Sequence, residues 1–509
     1  MGWIWLGLLW VASWQGTTTW WDPEVPDPLA LGESTGFGSS MVLAGSSLIV
    51  GAPRSFRDGE RGGALWTAPL QALPRVVPLT GLPGQAWFSL GYDLAWQPGR
   101  STLALGAPLA PNDGLNPGWV YLAEATNSSV SSLVGVQTLV PVATSAGAGF
   151  GSALAWSGEE LWVGAPFAAH APGQPRIGYV ARYSRGTLGW RETARIYAPL
   201  LGDVLRFGEA LQSGSGWLVI GAPGTPQGGA VCIWSLAAVD GPPEQVLVLP
   251  GAGASGAEFG RSLVLAEDGL QLFVGAPSLG VGGEVHAFRR SPGGAFRLAA
   301  ILRAPELGIH ARFGARLAWD RGVLWVGAPG ANGTLGSSGA IGSTGAVMAF
   351  PRVRAQPSLA QTWNGTAEDQ GLGGGLLAHG GGCFLASAGH GVVTFRDAPK
   401  GRIDWVLAPA SGGGVHSSGV RLDWLRASDG SGSMVAVIDG LIPHETGIWK
   451  WVPKAGGTSV DLAGVEGSFQ AESTGAARVA WNDPHPTEGG HFWVLRSGHP
   501  ATVFDVRFL

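Results

Sequence analysis

Lysine is nearly absent from this chain of 509 residues. It occurs only at Lys400, Lys450 and Lys454, so almost every one of the 31 basic side chains is an arginine. Those arginines are scattered, only 13% of residues are charged, and the net charge is −5. There is no basic stripe to track a phosphate backbone, and no nucleic-acid partner is expected. Cysteine is equally scarce. Cys232 and Cys383 lie far apart in the chain and are expected as two buried free thiols, which excludes a disulfide-stapled scaffold. Long apolar runs are missing too. The run Trp3–Ala12 has ten residues, about half of what a membrane span needs. It reads as a signal peptide, residues 1–13, although no Lys or Arg precedes it; the alternative is a hydrophobic N-terminus on a cytosolic protein. The C-terminus, Val503 to Leu509, alternates like a strand and has no lipid-anchor tail. The expected product is secreted, with no membrane span. Sequons at Asn127, Asn332 and Asn364 agree with that and mark candidate glycosylation sites in or beside predicted loops.

Glycine is abundant, at 85 residues, alongside 35 prolines and 45% hydrophobic residues. That composition fits a turn-rich all-β protein and not a disordered one. One pattern organises it. Phe37-Gly38 is followed by Gly51-Ala52-Pro53, Phe150-Gly151 by Gly164-Ala165-Pro166, and Phe207-Gly208 by Gly221-Ala222-Pro223. Phe259-Gly260 precedes Gly275-Ala276-Pro277, Phe313-Gly314 precedes Gly327-Ala328-Pro329, and a variant, Leu90-Gly91, precedes Gly106-Ala107-Pro108. The Phe (or Leu) and the glycine of the triplet are 14 residues apart in four units and 16 in two. A fixed internal period means one supersecondary unit copied many times. It overrides the three or so domains that length alone suggests.

Unit 3 shows what is copied. Ser152 to Trp156 reads as a strand, Ser157-Gly158 and two glutamates as a turn, and Leu161 to Val163 as a second strand ending at the Gly-Ala-Pro. Gly178 to Tyr183 and Ala194 to Tyr197 supply two more. A proline cannot donate to the sheet ladder, so it closes strand two. Four short strands repeated in this way, packed radially, make a β-propeller.

At these residues the chain resembles the FG-GAP repeat family, which includes the integrin alpha head domains. The resemblance covers about residues 31–350 and includes the third-strand pattern Gly-Ala-Val-x-x-aromatic, at Gly229 to Trp234 and Gly345 to Phe350. It implies seven blades. Residues 351–509 carry degenerate repeats. Leu372-Gly373, Leu385 to Gly389 and Val392 to Phe395 fit a seventh unit. Val420 to Trp424, Met434 to Asp439 and Gly447 to Trp451 suggest an eighth, and Ala477 to Trp481 with His491 to Arg496 a ninth. The expectation is one all-β propeller over residues 22–509, of seven blades by resemblance or eight and more by repeat count.

Chemistry-bearing motifs are few. Many members of the family bind calcium in the first hairpin of a blade, which needs several oxygen ligands. Here those hairpins are short and oxygen-poor, and Asp268-Gly269 and Ser428-Asp429-Gly430 read as plain turns. No metal and no cofactor is expected. Seven of the ten histidines follow residue 378, and Asp483, His485, Glu488 and His491 cluster. Their spacing fits no metal site and reads as a solvated loop. No Gly-x-Ser-x-Gly elbow, zincin helix or phosphate loop is present, so no enzyme is expected. Of the 24 tryptophans, Trp96, Trp156 and Trp319 share one repeat slot and Trp162 and Trp325 another. Repeated slots point to inter-blade packing rather than sugar stacking. Trp20 and Trp21 lie outside the repeats.

Function is therefore expected in loops. From the glycine of the triplet to the glycine opening strand three, the offset runs 11, 12, 14, 7, 7 and 18 residues in units 1 to 6. Variable loops on a constant scaffold are how binding surfaces are built. The candidate ligand-binding residues are Arg54, Phe56, Arg57, Asp58, Glu60 and Arg61 in unit 1, Asn112 and Asp113 in unit 2, and His170 and Arg176 in unit 3. The resulting expectation is a secreted or surface-associated recognition module for an extracellular protein or glycan. An enzyme with a site at the propeller axis and a ligand-free scaffold are the alternatives. Inner-strand runs such as Ser152 to Trp156 are small and apolar, which counts against the axial enzyme.

Overall fold

The computed structural model describes residues 18–21, most of 36–397, and the strand backbones between 408 and 506. The chain divides into two compact units, residues 1–398 and 399–509. The first is a β-propeller of four-stranded antiparallel blades. Seven four-stranded sheets occur in it. Six use consecutive parts of the chain. In unit 3 the strands are Ala153–Ser157, Glu160–Ala165, Tyr179–Gly186 and Gly189–Tyr197, each antiparallel to the next. The first strand of every sheet lies beside the first strands of the sheets before and after it, and the succession closes on itself.

The Phe-Gly and Gly-Ala-Pro elements meet in this geometry. The Gly208 N–H donates to the Gly221 carbonyl at 3.0 Å, and the same bond recurs in the other five motif-bearing units at 2.9–3.0 Å. That bond fixes the spacing seen in the sequence, since it clamps the start of strand one to the end of strand two. The triplet glycine serves a different purpose. Gly221 lies within the strand Trp217–Ala222, not in a turn. A Cβ there would sit 2.1 Å from the carbonyl oxygen of Gly260 in the next unit. Glycine is required because two backbones touch.

The phenylalanines are fully buried, each in the core between neighbouring sheets. Phe207 meets Trp234 edge-on with centroids 6.1 Å apart, and Phe313 meets Phe350 at 6.0 Å. Trp234 and Phe350 are the aromatic residues of the third-strand pattern, so the two sequence motifs are the two halves of one contact. Burying each ring contributes about 1.5–3 kcal/mol. Trp162 and Trp325 are also fully buried. Trp156 donates its indole N–H to the Ala95 carbonyl of the preceding unit at 3.1 Å. The shared tryptophan slots are thus packing positions. Cys232 and Cys383 are buried and free, as expected, and burial pushes the Cys232 thiol up to about 12.

The seventh sheet combines Leu372–His379, Gly382–Ser387 and Val392–Asp397 with Thr18–Trp21 as its outer strand. Trp20 pairs with Val393 and Trp21 with Val392. This gives Trp20 and Trp21 a place in the backbone scheme that the repeats do not supply.

The second unit has a different connectivity. Val420–Arg426 pairs with Gly432–Ile438 as the repeat count suggests. The next strand, Thr446–Pro453, pairs instead with Val465–Gln470 and Gly490–Arg496. The result is a five-stranded and a three-stranded sheet. No eighth four-stranded sheet occurs among the described residues. Asp483, His485 and Glu488 lie outside the described residues, and His491 stands on the strand Gly490–Arg496.

Candidate functional site at the axial mouth

The loops that follow Gly-Ala-Pro and the segments that approach Phe-Gly share one face. The Gly224 N–H donates to the Leu205 carbonyl, Ser278 to Ala257, and Gly330 to Ala311, at 3.0–3.2 Å. Arg54, the first residue after Gly51-Ala52-Pro53, occupies this position in unit 1 and is exposed. Phe56 pairs with Arg61, and Arg57 with Glu60, in a small hairpin. Arg176 is exposed and donates to the Ala146 carbonyl at 3.1 Å. Asp58, Asn112, Asp113 and His170 lie outside the described residues. The three sequon asparagines, Asn127, Asn332 and Asn364, are exposed. In the first hairpin of unit 5, the Asp268 carboxylate accepts from its own Leu270 N–H at 2.8 Å, an ordinary turn contact. The glycine that opens strand three in units 1, 4 and 5 is the second of its pair, Gly63, Gly229 and Gly283. Each lies against the backbone of the following Leu or Phe of the motif.

The same face contains a site at the axis. A cavity of about 260 Å³ is lined by polar residues that follow the Phe-Gly (or Leu-Gly) pairs, Ser39 and Ser40, Tyr92 and Asp93, Ser152, Glu209, Arg261 and Ser262, and Arg316, together with apolar residues of the same strands such as Leu211 and Leu263. None of the ten loop candidates is among its lining residues. The run Ser152 to Trp156 is small and apolar as read from the sequence, but units 2, 4, 5 and 6 bring Asp93, Glu209, Arg261 and Arg316 to the same cavity. Charged groups converge there because seven strands start at one level around one axis.

A second ring stands just outside the first. The residue before each Phe-Gly (or Leu-Gly) has a positive φ. Units 1, 3 and 7 use glycine at this place, Gly36, Gly149 and Gly371, and unit 2 uses Ser89 at φ 65°. Units 4, 5 and 6 instead place Arg206, Glu258 and Arg312 there, at φ 54°, 58° and 55°. A residue with a Cβ pays roughly 1–2 kcal/mol for that conformation. The three side chains join the inner ring in an alternating series. Glu209 accepts from Arg261 and from Arg206, the latter at 2.5 Å. Glu258 accepts from Arg206 at 3.3 Å, from Arg312 at 2.9 Å and from the Ser278 hydroxyl at 3.0 Å. Arg316 donates to the Gly374 carbonyl at 3.2 Å.

Asp93 is half-buried and lines the cavity. Its carboxylate accepts from the Leu154 N–H at 2.7 Å. Burial pushes its pKa up to about 6, against the opposing pull of that bond, of the Leu94 N–H and of Arg316. Arg261 moves the other way. Burial and the neighbouring Arg316, Arg206 and Arg312 lower it to about 10, so it stays protonated at neutral pH. The site is a knot of guanidinium groups held by too few carboxylates. Four arginines face Asp93, Glu209 and Glu258.

Sequence reasoning missed these residues, yet a signal was present. Aligned on Phe-Gly, the position before the motif and the two after it carry only glycine, serine and alanine in units 1 and 3. There glycine and serine give way to Arg, Glu and Asp in units 2, 4, 5 and 6.

No protein-family profile matches the chain, and no curated protein matches it. Solved structures do. A candidate 6-phosphogluconolactonase of Bacteroides fragilis is 11% identical with a TM-score of 0.44, covering 76% of this chain and 93% of that one. The Pan2 WD40 domain of Neurospora crassa is 10% identical with a TM-score of 0.43, covering 74% and 91%. A periplasmic gluconolactonase of Pseudomonas aeruginosa is 14% identical with a TM-score of 0.36, covering 78% and 90%. Nothing about this chain's chemistry follows from likeness at that level.

Proposed function

We propose that this chain is an extracellular recognition propeller of FG-GAP type that binds its ligand on the face where the axial mouth opens. One observation carries the reading. Arg206, Glu258 and Arg312 occupy strained positions that neighbouring units fill with glycine, and all three join the charges around the mouth. Strain of this kind gathers at functional sites. The signal segment, the sequons and the motif resemblance support an extracellular setting. The loops of units 1 to 3 would then form the outer part of the same surface.

The test is a panel of extracellular glycans and proteins presented to the wild-type chain and to two variants. In the first, Arg206→Gly, Glu258→Gly and Arg312→Gly are combined. In the second, Phe56 to Arg61 become a Gly-Ser linker, a change that costs little stability in a surface loop. Ligands captured by the wild type are expected to be lost by at least tenfold in the first and weakened in the second. Capture insensitive to both, but abolished by altering the Glu267 to Gly269 turn, would overturn the reading.

A second reading, catalysis at the axis, draws on Asp93 and Glu209 lining one cavity. It predicts turnover that Asp93→Asn abolishes, whereas the binding reading predicts none.

A further inference from the structure

We propose that the axial mouth is a sugar-acid site, in which Arg261 and Arg316 hold the carboxylate of a single hexuronate ring and Ser39 and Ser152 accept from its hydroxyls. This rests on the recognition reading above and names the chemistry that the mouth would take.

Three observations lead to it. The first is charge. Glu209 and Glu258 are engaged by Arg206, Arg261 and Arg312. Arg316 donates to a backbone carbonyl and makes no ion pair among the described residues. A guanidinium has five donors in a planar fork, so both Arg316 and Arg261 keep N–H groups for a ligand. That fork matches a carboxylate in a way that an ammonium does not, and the described propeller has no lysine. With Asp93 ionised, the mouth carries one positive charge beyond its carboxylates, which suits a monoanion.

The second observation is the hydroxyl inventory. Ser39, Ser40, Ser152 and Ser262 all line the cavity. Each donates its own proton to a backbone carbonyl, of Gly36, Gly91, Gly149 and Gly314 respectively, at 2.5–2.6 Å. Ser40 and Ser262 are buried and turn their hydroxyls into the blade junctions, whereas the half-buried Ser39 and Ser152 keep their oxygens as acceptors toward the cavity. A ligand that complements them must bring hydroxyl donors as well as a negative charge. An acidic peptide side chain brings the charge alone. A neutral sugar brings the hydroxyls alone.

The third is size and shape. The cavity, about 260 Å³, falls just below the roughly 300–1,000 Å³ of drug-sized ligand sites. It suits one ring, presented at the end of a longer chain. Tyr92 lines it with 42% of its surface exposed and offers an apolar ring face with a polar tip.

Calorimetric titration of the full chain with sodium D-glucuronate, D-glucose, N-acetyl-L-aspartate and inorganic phosphate tests the assignment. Glucuronate is expected to bind at least tenfold tighter than each of the other three. Arg316→Gln is expected to lose at least tenfold in glucuronate affinity with an unchanged melting temperature. If that variant does not melt cooperatively, Tyr92→Ser decides, with a loss of at least threefold expected. No glucuronate binding, an equal response to glucose, N-acetylaspartate or phosphate, or an affinity unmoved by the deciding variant would each overturn the proposal. Panel ligands lost by the triple glycine variant, without any glucuronate binding, would leave the recognition reading standing and remove this one.

Discussion

Gly221→Val is expected to abolish folding. The Cβ at this position would lie 2.1 Å from the Gly260 carbonyl oxygen and 3.1 Å from its carbon. Both atoms belong to the backbone of the next blade, so no side-chain rotation relieves the clash. The Gly260 residue is itself held, by its N–H bond to Gly275 at 3.0 Å and by its left-handed φ of 91°. The junction would have to open, exposing the core that contains Phe259, Leu263 and Val231. The cost therefore exceeds the roughly 1–3 kcal/mol of ordinary over-packing. Gly214→Val is the control. Gly214 ends the strand Ala210–Gly214, and a Cβ there meets nothing within 4 Å. Thermal melting of both variants checks the claim. A cooperative transition near the wild-type temperature for Gly221→Val would contradict it.

Asp93→Asn is expected to stabilise the protein at neutral pH. An acid whose folded pKa is raised, here from 3.8 to about 6, binds protons more tightly when folded. Its ionisation then opposes folding. The penalty is absent below the unfolded pKa, grows between about pH 4 and 6, and stays constant above that. Two pKa units correspond to about 3 kcal/mol at pH 7. Asparagine keeps an oxygen to accept from Leu154 while removing the charge. The charged and titratable groups facing Asp93 across the cavity are Arg316, Arg261, Glu209 and Tyr92. Wild type and variant should therefore differ in melting temperature at pH 7 and converge below pH 4. A variant less stable than wild type at pH 7 would contradict this, because it would mean that the arginines stabilise the Asp93 carboxylate by more than its burial opposes it. The same titration bears on binding. An anionic ligand meets less repulsion once Asp93 is protonated, so glucuronate is expected to bind more tightly at pH 5 than at pH 7.5.

The strands and blade junctions were legible in the sequence because each depends on contacts that every unit repeats. Phe207 needs Trp234, and Gly221 needs the carbonyl of Gly260, so the residues recur at fixed spacing. The outer strand Thr18–Trp21 was not legible. Its partner, Val392–Asp397, lies far along the chain, and the pairing is made once and not repeated. The strands after residue 399 were legible as strands. Their partners were not, because Thr446–Pro453 skips its sequence neighbour to pair with Gly490–Arg496, and strand period says nothing about such a choice. The axial mouth was hidden for a different reason. Glu209, Arg261 and Arg316 each look like an isolated surface charge until the units are aligned on Phe-Gly. Only the closure of the inner strands brings them together.

The account holds that the charges at the mouth serve binding and are not needed by the fold. Melting of the chain carrying Arg206→Gly, Glu258→Gly and Arg312→Gly tests this most directly. Removing all three leaves the Arg261–Glu209 pair in place and releases three left-handed backbones, each worth roughly 1–2 kcal/mol. The pairs lost at Glu258 are partly exposed and contribute about 0–1 kcal/mol apiece, and the nearly buried Glu209 loses Arg206 but keeps Arg261. The predicted result is a melting temperature equal to or above that of the wild type. A fall of several degrees would show that Arg206, Glu258 and Arg312 are structural, and would contradict the account.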